Sequence, residues 1–142
     1  MAGLIEAKSD LRIGCPADLL EVRQALQQVH HFLSMQDLPC DLVEDVDLVL
    51  AEAMTNIVRH SYKDAAGLIE CHLVLGDVSV ECRLTDTGNG FDPAGAGHRA
   101  PSPSSFSEGG YGWFLIRSLT QRLSYAREGN QNVLCFSLDR RA

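Results

Sequence analysis

Residues 67–92, GLIECHLVLGDVSVECRLTDTGNGFD, alternate apolar and polar side chains in two runs that meet at a glycine. Period-two alternation marks a half-buried strand. Ile69, Cys71, Leu73 and Leu75 share one face of the first run, and Val80, Cys82 and Leu84 share the matching face of the second. Gly76-Asp77 predicts a two-residue type II′ turn, which takes glycine first. That register sets Cys71 opposite Cys82 as a pair of core thiols, not a disulfide. The second strand ends on Asp86, on the same face as Leu84, and runs into D-T-G-N-G-F. A carboxylate on a core-facing side is costly unless it is hydrogen-bonded. Gly88 and Gly90 permit tight turning and close backbone approach. An inward acid beside such glycines suits recognition of a donor such as the amino group of adenine.

Upstream, Leu11 and Ile13 predict a first strand over residues 9–14. Pro16 is expected to open a helix, where its missing N–H does no harm. Leu19, Val22, Leu26, Val29 and Leu33 form that helix's apolar stripe, and Pro39 closes the connection. A second helix begins with Asp41 as its cap and Glu44 three residues on, a capping-box spacing. Val46, Val49, Leu50, Ala53 and Ile57 carry its helical period to about Tyr62.

Downstream, residues 93–110 are rich in Gly, Ala, Pro and Ser and read as a long loop. Loops of this length inside a compact domain are usually functional or disordered. Residues 112–123 read as a helix with Ile116, Leu119 and Leu123 on one side. Two closing strands follow over residues 124–127 and 132–138, joined at Gly129-Asn130. The order is strand, two helices, two strands, loop, helix, two strands. It predicts a two-layer α/β sandwich, a mixed or antiparallel sheet with helices on one face.

A chain of 142 residues with 45% apolar content fits one domain spanning residues 1–142. No apolar run approaches the roughly 20 residues of a membrane span, and residues 1–10 lack the pattern of a signal peptide. A cytoplasmic location and no membrane partner are expected. The five cysteines contain no C-x-x-C pair, which argues against zinc ribbons and disulfide frameworks and for reduced thiols. Net charge is −7 with no basic cluster, which speaks against direct nucleic-acid binding.

Three groups of residues carry candidate chemistry. The first is E-A-M-T-N-I-V-R-H, in which Glu52 and Asn56 stand four apart on a helix face bordering the apolar stripe. Asn offers magnesium a neutral oxygen, and a glutamate one turn earlier can orient or deprotonate a hydroxyl. The second is Asp86 with Gly88 and Gly90. The third is G-G-Y-G, with Gly109, Gly110 and Gly112 directly before an apolar helix. The free N–H groups and dipole of a helix start favour an anion there. An ordinary solvated helix face, a strand-end turn and a common Gly-rich loop are the competing readings of the three groups taken singly.

Taken in order, the three groups resemble the N, G1 and G2 boxes of the GHKL ATPase superfamily. E-A-x-x-N-x-x-x-H, D-x-G-x-G-F-D and E-G-G-x-G-x-F-L-I look like those of the bacterial anti-sigma-factor serine/threonine kinases. The resemblance implies a Bergerat-type site for ATP and Mg2+. In it Asn56 contacts the metal, Glu52 acts as base, Asp86 reads adenine beside Gly88 and Gly90, and Gly109, Gly110 and Gly112 hold phosphates. Residues 93–108 become an ATP lid, with His98 and Arg99 as its cationic candidates. The implied substrate is a serine or threonine of an anti-anti-sigma STAS-domain protein. A sigma factor is an implied second partner, and several family members are dimers. Trp113 departs from the family, which usually has Leu there. His60 follows the N box as in family members, and a surface or capping histidine is an equally strong competing reading. Asn132 is a further candidate at the adenine.

Three functions compete on these residues. A partner-switching protein kinase leads, because Glu52 is retained. A non-catalytic nucleotide-binding module that sequesters a regulatory partner is the alternative. A detached histidine-kinase catalytic domain ranks third, because the first helix is needed by the sandwich and leaves no room for a phospho-accepting hairpin.

Overall fold

A computed structural model describes residues 9–63, 65–90 and 110–140. Residues 93–108, with His98 and Arg99, and Gly109 lie outside the described residues. In chain order the elements are β1 (Ser9–Pro16), α1 (Leu19–Ser34), α2 (Cys40–Asn56), a π turn (Ile57–Ser61), β2 (Leu68–Leu75), β3 (Ser79–Asp86), α3 (Gly110–Leu119), β4 (Arg122–Glu128) and β5 (Gln131–Asp139). The strands form a wholly antiparallel sheet in the order β1-β2-β3-β5-β4. The two-layer α+β sandwich expected from the element order is the observed fold.

The helix starts differ from expectation. Pro16 ends β1, an edge strand where a missing N–H is tolerated. Asp18 caps α1 instead, its Oδ2 accepting from the N–H groups of Leu20 and Glu21 at 3.1 and 3.2 Å. The buried line of α1 is Val22, Ala25, Val29 and Leu33; Leu26 packs only partly, and Leu19 is exposed. Helix α2 starts one residue before Asp41, with Pro39 as N-cap and no side-chain cap bond, so the Asp41–Glu44 capping box is not made. Asp41 sits in the first turn, where its charge still complements the helix dipole.

The hairpin keeps its faces but shifts by two residues. Leu75 pairs with Val80, Cys71 with Leu84 and Leu73 with Cys82. Cys71 and Cys82 are therefore diagonal neighbours, their sulfurs 3.8 Å apart, and both are free thiols. The N–H of Gly76 donates to Ser79 O at 2.9 Å, which puts Asp77-Val78 at the bend. Gly76 does not have the positive φ that a glycine-first type II′ turn requires. At the other hairpin Gly129 does, at 65°, and Glu128 pairs with Gln131 as expected.

Helix α3 ends at Leu119, and Leu123 belongs to β4, opposite Phe136. One core cluster joins Val46, Val49, Leu50, Ala53 and Ile57 of the second helix to Ile69, Leu73, Leu84 and Leu134 of the sheet. Full burial of each such side chain is worth about 1.5–3 kcal/mol. Trp113 and Ile116 carry α3 into the same cluster, so the large indole fills core volume.

Candidate functional site

Beyond Asn56 the helix widens into a π turn, with the Tyr62 N–H bonded to Ile57 O at 3.0 Å. Such turns occur often at functional sites. This one stitches the end of the helix to the loop after β3. Ser61 O accepts from Asn89 N at 2.7 Å, and Tyr62 Oη accepts from Thr87 N at 2.9 Å while donating to Leu68 O at 2.7 Å. Gly88 lies so close that an added Cβ would stand 2.6 Å from Ser61 O and 2.5 Å from Ser61 Oγ. Gly90 has φ of 79°, a left-handed conformation that favours glycine.

Asp86 is buried, 3% exposed, at the end of β3. Its Oδ1 accepts from Ser61 Oγ at 2.6 Å, from Asn132 Nδ2 at 2.8 Å and from Gly88 N at 2.9 Å. These bonds offset the cost of burying the carboxylate. No described residue bonds to Oδ2, so one oxygen is held by the protein and the other is left for a donor. Asn132 faces Asp86 across the β3–β5 ladder. Its Oδ1 accepts from Arg127 Nη1 at 2.9 Å, which fixes the amide's orientation, because a guanidinium only donates.

Glu52 and Asn56 lie on α2 where α3 crosses it. A Cβ on Gly112 would stand 2.6 Å from Glu52 Oε1 and 3.8 Å from Asn56 Nδ2. Asn56 is 6% exposed, and its Nδ2 is buried without a hydrogen-bond partner among the described residues. A buried donor left unpaired is costly, which makes this junction a candidate place for a ligand. Gly110 opens α3, so Gly110 and Gly112 belong to its first turn and do not precede the helix. The backbone of that turn at Gly112 lies at the same junction as Glu52 and Asn56.

The folded chain thus brings Glu52, Asn56 and Gly112 into one group, and Asp86, Gly88 and Gly90 into another. The continuous stretch from Glu52 to Ser61 spans the two. His60 is exposed, and no described contact draws it into either group. Ser61 and Arg127 were not among the sequence candidates. A signal for Ser61 exists, since it continues the inward stride Ala53, Ile57 at the same spacing and is a polar residue on an apolar line. Clefts of about 540 and 440 Å³ lie elsewhere, on the uncovered sheet face around His72 and Arg83, and hold none of the candidate residues.

Residues 15–138 match the family described as the histidine kinase-like ATPase domain. The serine-protein kinases RsbW of Staphylococcus aureus strains RF122 and MRSA252 are each 28% identical over 101 residues. The match covers 66% of this chain and spans 64% of the length of those relatives. Among solved structures, the RsbU and RsbW domains of a Mycobacterium tuberculosis protein superpose with a TM-score of 0.67 at 18% identity, covering 94% of this chain and 34% of that one. The histidine kinase domain of a blue-light activated kinase from Erythrobacter litoralis gives 0.57 at 14% identity, covering 88% and 61%. These likenesses agree with the antiparallel sandwich, and the match over residues 15–138 shows that the chain belongs to the family of histidine kinase-like ATPase domains.

Proposed function

We propose that this chain is an ATP-dependent protein serine/threonine kinase of a bacterial partner-switching system, acting in the cytoplasm on an anti-anti-sigma STAS-domain protein. A sigma factor is its second partner. The reading rests on one observation above the others: Glu52 and Asn56, whose Nδ2 has no partner among the described residues, meet the glycine turn of α3 at one junction. In this reading Asp86 Oδ2 accepts from the adenine amino group, and the α3 turn offers its N–H groups to the phosphates. The RsbW relatives carry the name serine-protein kinase, which supports the same class of reaction.

The residues present fit magnesium. Turning the Asn56 amide by half a rotation presents Oδ1 at the junction. One neutral oxygen is enough for an ion that takes most of its ligands from phosphates and water. Among the described residues no group of three or more His, Cys, Asp or Glu side chains could hold a metal ion. Asn56, with Glu52 beside it, is the site that would hold magnesium with the nucleotide. The bound ion would neutralise phosphate charge during transfer. Glu52 holds or accepts the hydroxyl proton of the substrate serine. Among the described residues no helix is long and apolar enough to cross a membrane.

The test is incubation of the chain with labelled ATP, magnesium and each STAS-domain protein of the same genome. Transfer of label to serine or threonine of one of them is expected. Tight ATP binding with no transfer to any of them would favour the sequestering module over the kinase.

A further inference from the structure

A lone carboxylate does not select adenine. With both oxygens free it can accept two parallel hydrogen bonds, and guanine, with an N1–H beside its 2-amino group, offers such a pair. Selection depends on what the protein does with each oxygen.

Around Asp86 that choice is built in. Ser61 is 0% exposed, and its Oγ donates to Asp86 Oδ1 at 2.6 Å while accepting from Gly90 N at 2.9 Å. Asn132 Nδ2 reaches both Asp86 Oδ1 at 2.8 Å and Gly88 O at 3.0 Å. Arg127 Nη1 bonds to Asn132 Oδ1 and to Gly88 O, both at 2.9 Å. If the Asn132 amide turned over, its oxygen would face the carboxylate and lose Arg127. Each member is therefore oriented by the next, from the exposed edge strand β4 inward to β3.

We propose that Ser61, Asn132 and Arg127 are positioning residues that commit Asp86 Oδ1 to the protein and leave Oδ2 as a single acceptor. The nucleotide site then takes a purine with a 6-amino group and rejects a 6-oxopurine. The proposal rests on the reading of Asp86 as the residue that contacts the base. Ser61 matters twice, because its hydroxyl also holds Gly90 N and so fixes the loop whose Gly88 N–H donates to the carboxylate. Loosening the set frees Oδ1, which lets the carboxylate swing and lets a guanine pair with both oxygens.

Calorimetric titration of the whole chain with ATP, GTP and purine riboside triphosphate, which carries hydrogen in place of the 6-amino group, tests this. Wild type should favour ATP over both others. Ser61→Ala should weaken ATP about tenfold, the size of one lost hydrogen bond with a donor left unpaired. It should weaken purine riboside triphosphate by less than about threefold, because that ligand has no amino group for the carboxylate to read. Its ATP-to-GTP preference should fall by at least about fivefold, as a site built around one hydrogen bond loses its discrimination. Because Ser61 is fully buried, Arg127→Met on the exposed strand is the second variant; the same pattern is expected at smaller size. Equal losses for all three nucleotides in both variants would show a merely structural role and overturn the positioning claim while leaving Asp86 at the base. Equal wild-type affinity for ATP and purine riboside triphosphate would overturn the base-reading role and this proposal together.

Discussion

At the scale of single residues, the two carboxylates of the site stand in opposite situations. Asp86 is enclosed and donor-bound on one oxygen. Glu52 is half-buried at the junction of α2 and α3. Asp86→Asn keeps the shape, but the amide must place an NH2 group either against three donors or toward the ligand's amino group. Either orientation sets donor against donor. A loss on the order of 2–4 kcal/mol in adenine-nucleotide binding is expected, with the domain still folded. Calorimetry beside circular dichroism checks it, and unchanged ATP affinity would remove Asp86 from the site. Glu52→Gln retains size and loses basicity. It should bind Mg-ATP and the proposed STAS-domain substrate normally and transfer phosphoryl about 10²–10⁴-fold more slowly. Single-turnover transfer is the measurement, and a rate within about threefold of wild type would demote Glu52. Both residues were legible in the sequence, because motif spacing placed one on a helix turn and alternation turned the other inward. Arg127 was not, since its role depends on a strand pairing that no local pattern announces.

At the scale of elements, alternation located the described strands to within about two residues, and the helical stripe located the described helices but carried α3 four residues too far, to Leu123 in β4. Ends and turns were less legible, for a physical reason visible at the β2–β3 bend. Arg140, past the end of β5, donates from Nη1 to Gly76 O at 2.7 Å and from its backbone N–H to Val78 O at 2.8 Å. A residue 64 positions away thus holds the carbonyls that set the bend. Propensity at Gly76-Asp77 is overridden by this tie, and the register moves by two residues, which preserves each side chain's face. Arg140→Met should cost about 1–2 kcal/mol, the worth of the side-chain bonds to Gly76 O and, at 3.3 Å, to Asp37 O, with its backbone bond to Val78 kept. It should raise amide exchange at residues 76–79 more than elsewhere. Urea unfolding and hydrogen exchange report the two effects; exchange that rises evenly over the sheet would argue against a local tie.

At the scale of the whole molecule, the Asp86 group of the candidate site depends on the last hairpin, which sets β5, not β4, beside β3 and brings Asn132 opposite Asp86. The same sheet gathers the thiols of β1, β2 and β3 into the core, and they give the fold a pH dependence of definite sign. Burial, with Cys71 and Glu21 adding to it, pushes the Cys15 thiol from 9.0 up to about 11. Burial, then the hydrogen bond with Cys71, pushes the Cys82 thiol well above 9.0. An unfolded chain releases these protons from about pH 9, as an ordinary thiol does, while the folded chain keeps them. In that window the native state holds more protons than the unfolded state, so stability falls as pH rises. Below the ordinary thiol value both states are protonated, and these cysteines contribute no slope. Urea midpoints under reducing conditions should therefore decline between pH 9 and about 11. Cys15→Ala and Cys82→Ala should each flatten the decline, whatever they do to stability at neutral pH through lost packing. The slope separates a titration from a cavity, because a missing sulfur lowers the curve at every pH alike. A decline of unchanged steepness in both variants would assign the alkaline loss to other groups.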